Sequence, residues 1–218
     1  MTHFEASGLD AAAVELIEND LTATLALEPP SQFNGLRRFN VERFQTLVLF
    51  VLEKAGPLFT TALNVRLWYA DFAHFRDQGI SITGSQYLRF THSPAPKSYD
   101  FLLAGMVEDG ALNATPIPSR DRPGERFRAA KKPDAAPFHC DELDRISRVL
   151  SALEGKTAMQ LSELAKAETA YAATRDRRPI SYERAAAGLY AVSRAQKRGG
   201  SRPSQTNRSW LMPKARSQ

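Results

Sequence analysis

Few side chains in this chain have the type to do chemistry, and their spacing decides what each is expected to do. The four histidines (His3, His74, His92, His139) show no H-E-x-x-H spacing, and Cys140 has no second cysteine, so neither a metal site nor a disulfide is expected. His139–Cys140–Asp141 could hold an activated thiol at a helix N-terminus, but the pattern that follows makes it the loop opening a helix. His74 stands one turn from Asp71 in a helical pattern, which predicts a structural hydrogen bond between them rather than general-base work. Gly155–Lys156–Thr157 has the ending of a phosphate loop. That motif needs a glycine five residues before Gly155, and Leu150 is there, inside a helical run. Thr157 with Gln160 fits a capping box instead. No G-x-S-x-G and no dinucleotide glycine fingerprint occurs. No cofactor is expected, and the chain is expected not to be an enzyme.

The elements around these residues are mostly helical. Residues 10–27 fit a helix capped by Asp10, with Val14, Ile17, Leu21 and Leu25 in a stripe and Pro29–Pro30 ending it; packing on the body is favoured over a free docking helix. Residues 39–55, capped by Asn40 and apolar all round, predict a central buried helix broken by Gly56–Pro57. The helix that follows carries Leu63, Leu67, Ala70 and His74 on one face, with Asn64, Trp68, Asp71 and Phe75 on the next. Thr60 and Thr61 offer caps at its start and Gly79 a left-handed cap at its end. Ile80 to Thr91 alternates like two short strands about Gly84. Pro94 and Pro96 are expected to stop any ladder. Lys97–Asp109 predicts a helix ended by Gly110. Ala111–Ile117 and Phe127–Ala129 predict short strands flanking a solvated loop, PIPSRDRPGERF. Beyond Asp141, Leu143, Ile146, Val149, Leu150 and Leu153 share one face, and Leu161 and Leu164 point inward from the next helix.

The run LNVRLWYADFAHF, then ITGSQY, then SPAP, resembles the signature region of the Panacea domain, the SocA-like antitoxin family. LDRISRVLSALEGKTAMQLSELAKAETAY followed by ISYERA is similar to that family's closing helices, so the resemblance covers roughly residues 39–187. Arg66 stands where the family usually has lysine, Lys166 where histidine is frequent, and His92–Ser93–Pro94 replaces Tyr-Gly-Pro. Without the glycine, this turn is expected to avoid positive φ. The resemblance implies a mainly α fold, a compact helical domain with a small β-hairpin or short-stranded β element.

Composition places the charge unevenly. The formal net charge is +5, yet residues 1–36 carry six acids and no Lys or Arg, while eight basic residues and no acid follow Glu183. Without those eight, 21 basic residues face 24 acidic ones, a net of −3. The high isoelectric point therefore belongs to the C-terminal end. The longest apolar run, Leu47–Leu52, is far short of a bilayer span, and no basic residue precedes Arg37, so a presequence, a membrane partner and any compartment but the cytoplasm are not expected. The expected organisation is an acidic helical extension (1–36), a Panacea-like domain (37–193) and a basic tail without order of its own (194–218).

With catalysis set aside, a protein-recognition surface remains. Hot spots favour Trp, Tyr and Arg, and the candidate patch is Tyr87, Arg89, His92, Lys97 and Tyr99, around the hairpin and the Ser-Pro-Ala-Pro turn; the alternative is that the two tyrosines are core. The resemblance implies an antitoxin that neutralises a cognate protein toxin by direct binding. Two other readings stay open: a DNA-binding regulator using the basic tail for weak, non-specific contact, and an adaptor delivering a bound protein to an ATP-dependent protease.

Overall fold

A computed structural model describes residues 21–118, 124–186, 188, 189 and 192. In chain order they form α1 (21–27 in its described part), α2 (Val41–Ala55), β1 (Leu58–Phe59), α3 (Thr60–Gln78), β2 (Tyr87–Arg89), β3 (Pro94–Pro96) and α4 (Tyr99–Glu108). Then follow β4 (Leu112–Ile117), β5 (Gly124–Ala129), α5 (Cys140–Ala152), α6 (Ala158–Ala167), α7 (Thr169–Ala172) and α8 (Tyr182–Ala186). The fold is mainly α with two small antiparallel sheets, ordered β1-β5-β4 and β2-β3. The expected cap at Asp10 and the tail beyond residue 192 lie outside the described residues, as does the tip of the β4–β5 hairpin.

Helix α3 is the axis of the molecule. Every residue from Ala62 to Phe75 is buried, because α2, α5, α6, α8, β1, β3 and β5 all pack on it. Its aromatic side chains knit the layers together: Trp68 lies 4.8 Å from Tyr69 and 5.2 Å from Phe72, and Phe72 stacks on Tyr182 at 3.8 Å. Gly79 caps its C-terminus in the left-handed region, donating to the Phe75 carbonyl at 2.7 Å. Its N-terminus departs from expectation. Phe59 is the capping position, no side chain caps the first turn, and Thr60 already belongs to the helix. Asn40 does cap α2, accepting from the Arg43 N–H at 2.9 Å. Thr157 and Gln160 form the expected capping box of α6.

Two strand expectations fail for one reason, the path of the backbone hydrogen bonds. Residues 80–86 are not a strand; side chains and isolated backbone contacts, not a neighbouring ladder, satisfy them. Pro94 and Pro96, expected to prevent pairing, lie within β3, opposite Arg89 and Tyr87 respectively. At those positions β2 turns its backbone the other way: Tyr87 O accepts from Ile180 N, and Arg89 exchanges bonds with Arg177 and Arg178. The proline nitrogens thus stand at non-hydrogen-bonded places on the sheet edge, where no donor is missed. The first strand ends at Ile117 as expected, whereas the second begins at Gly124 rather than Phe127, so the loop between them is shorter than expected. Ser93 keeps a negative φ, as the missing glycine requires.

Candidate partner-binding surface

The polar residues of the signature region converge inside the protein. Asp71, wholly buried on α3, accepts four hydrogen bonds: from Ile82 N–H (2.8 Å) and Thr83 N–H (2.9 Å) at Oδ1, and from the Thr83 hydroxyl (2.6 Å) and the Tyr87 hydroxyl (2.9 Å) at Oδ2. Burial pushes its carboxyl above the ordinary value, and the donors from Thr83, Tyr87 and Ile82 pull against it. The loop carbonyls are matched in turn. His74 Nδ1 donates to Ile80 O at 2.7 Å, Arg37 Nε to Ser81 O at 2.7 Å, Arg43 Nε to Ile82 O at 2.6 Å and Asn40 N to Thr83 O at 2.9 Å. An irregular segment can be buried when its backbone is answered this completely.

A second buried pair braces the same region. Arg43 forms an ion pair with Glu142 of α5, and its guanidinium lies 4.8 Å from the Phe138 ring centroid. Glu142 also accepts from the His139 N–H at 2.9 Å, closing the start of α5, and stands 3.7 Å from His74 Nε2. His139–Cys140–Asp141 is thus a helix start, with Cys140 exposed. The predicted Asp71–His74 bond does not form; each residue serves a different part of the 80–83 backbone. Arg66 donates to the carbonyls of Ala62 and Leu153 at 3.2 Å each. Arg76 does pair with Asp77, at 2.8 Å. Sequence reasoning missed Arg43, Glu142 and the buried Glu168, which accepts from the Tyr69 hydroxyl at 2.9 Å. The only signal for Glu142 was its place three residues into a helix.

The five patch residues separate by depth. Tyr87 is interior, its hydroxyl on Asp71. Arg89 is half-buried, 5.0 Å over the Tyr171 ring and 3.6 Å from Asp176. His92 is exposed at the turn, while its carbonyl accepts from the Ser162 hydroxyl. Lys97 is half-buried and donates to Glu28 at 2.6 Å, next to a Gln86–Glu28 hydrogen bond. Tyr99 is half-buried against Phe90, ring centroids 6.4 Å apart. Of the five, only His92 is exposed; Arg89, Lys97 and Tyr99 are half-buried, each against a different neighbour, and Tyr87 lies in the interior. Leu25 packs into the core and Glu28 onto Lys97, so the end of the acidic extension docks on the body beside this patch.

Fold and hub together define a mainly α domain whose signature polar residues are turned inward to fix one loop. Residues 65–171 match the family described as Antitoxin SocA-like, Panacea domain. That match runs from α3 to α7 and covers just under half of the chain. No curated protein and no solved structure matches it. No described helix is long and apolar enough to cross a membrane.

Proposed function

We propose that this protein is an antitoxin that neutralises a cognate, co-encoded protein toxin by binding it directly in the cytoplasm. The match of residues 65–171 to the SocA-like antitoxin domain carries the reading. The use made of the polar signature residues supports it: Asp71, Thr83, Tyr87 and His74 all hold the 80–86 loop in place, and that loop leads into the β2–β3 hairpin bearing the patch. The contact surface is centred on Arg89, His92, Lys97 and Tyr99, with Tyr87 supporting it from below. Expression should rescue cells from the toxin through a complex burying about 1,200–2,000 Å². Cys140→Ser, which alters an exposed thiol, should rescue fully. The test is growth with toxin and antitoxin expressed from separate promoters. Failure of the wild-type chain to restore growth, with both proteins present, would remove the antitoxin reading.

A further inference from the structure

The two faces of the β1-β5-β4 sheet differ in chemistry. Leu58, Phe127 and Leu112 point inward and are buried. On the other face the register sets Phe59 beside Arg126 and Arg126 beside Thr115, with Arg128 opposite Asn113 in the next row, and all five are exposed. Phe59 is 44% exposed. Glu125 falls on the inner parity of β5, so the outer rows of Phe59, Arg126, Thr115, Arg128 and Asn113 contain no acid. Neither Arg126 nor Arg128 forms an ion pair or side-chain hydrogen bond with a described residue. Just past β5, Arg128, Lys131 and Lys132 line a groove of about 250 Å³ that reaches Leu52, Glu53, Gly56 and Pro57 at the end of α2, three basic side chains against the one acid, Glu53. Lys131 donates to a neutral partner, the Asp109 carbonyl, at 2.7 Å, so its charge is not cancelled there.

We propose that this sheet face binds single-stranded nucleic acid, an unpaired base stacking on Phe59 while Arg126, Arg128, Lys131 and Lys132 contact phosphates. An exposed ring in register with an arginine offers both things a single strand presents, a π-face and a backbone charge. A duplex hides its base faces, and an acidic polypeptide has no use for the ring. The site lies on the fold itself and is separate from the basic tail, so it stands whether or not the protein neutralises a toxin.

The experiment is fluorescence anisotropy of the full chain with labelled oligo(U) and oligo(dT) of about ten nucleotides, and with a duplex of the same length, across about 50 to 200 mM salt. Single strands should bind more tightly than duplex, and the two single strands together show whether the sugar matters. Phe59→Ala should weaken binding about tenfold while Phe59→Tyr retains it. Arg126→Ala and Arg128→Ala should each reduce the slope of log affinity against log salt by about 0.7. These side chains are exposed, so melting temperatures should hold and confirm folding. The proposal is overturned by no binding at the lowest salt, by equal affinity for duplex or poly-glutamate, or by binding indifferent to Phe59→Ala, Arg126→Ala and Arg128→Ala. Binding lost only on deleting 194–218 would assign the affinity to the tail and overturn it equally.

Discussion

Asp71 is a buried carboxylate with no ion-pair partner among the described residues; four hydrogen-bond donors stabilise it instead. Asp71→Ala leaves those donors facing a void, two of them backbone groups with nowhere else to turn. Chemical denaturation should show a loss of about 3–5 kcal/mol. Gly84 is equally constrained. Its φ is +79°, and a Cβ there would sit 2.3 Å from the Arg38 carbonyl oxygen, a backbone atom that cannot swing aside. Gly84→Ala should therefore cost at least about 2 kcal/mol by the same measurement, beyond what positive φ alone explains. At the surface, Lys97 has two possible roles, since it already holds Glu28. Lys97→Glu alone would disturb both the α1 contact and any partner. The swap Glu28→Lys with Lys97→Glu restores the pair, so toxin binding should stay weakened by the swap if Lys97 touches the partner.

At the scale of elements, α3 was legible in the sequence because nothing about a helix buried on every side depends on distant detail. The run from Leu63 to Phe75 has apolar residues on more than one face, and Gly79 marks its end. Trp68, at the centre, is fully buried, and Trp68→Ala should destabilise by about 3–5 kcal/mol in a denaturant titration. The 80–86 loop was not legible. Its alternation of Ile80, Ile82 and Gly84 has the period of a strand, but its backbone is claimed by Asp71, Arg37, Arg43, His74 and Asn40, which lie between 6 and 44 positions upstream. Local periodicity carries no record of such partners. The same holds for β3. Prolines forbid a ladder only where a donor is needed, and the register that spares them is set by residues 177–180. For the candidate site, the sequence left Tyr87 open between contact and core, and the hub below it decides for the interior.

At the scale of the molecule, Tyr69, Tyr87 and Tyr182 are held as phenols inside the core. Burial, reinforced by the charge of Glu168 at Tyr69 and of Asp71 at Tyr87 and Tyr182, raises all three above the ordinary phenol value. A raised folded-state value means the associated stability is complete below the unfolded value near 10 and is lost as pH rises through the folded values. Ultraviolet titration should therefore show these three of the six tyrosines ionising only together with alkaline unfolding, in one cooperative step. An early, gradual ionisation of all six would contradict the packing around Tyr182.

Also at this scale, the proposed contact surface draws on the β2–β3 hairpin (Arg89, His92), the residue after it (Lys97) and the start of α4 (Tyr99), with Glu28 of the N-terminal segment paired to Lys97. Direct binding of the toxin by that surface is the central claim, and titration calorimetry of the purified protein with its purified co-encoded toxin tests it most directly. A saturable complex of defined stoichiometry is predicted, with Arg89→Glu weakening it at least about tenfold, the scale of a hot-spot truncation, while the melting temperature stays within a few degrees. No heat and no co-migration at micromolar concentrations of both folded proteins would contradict the account.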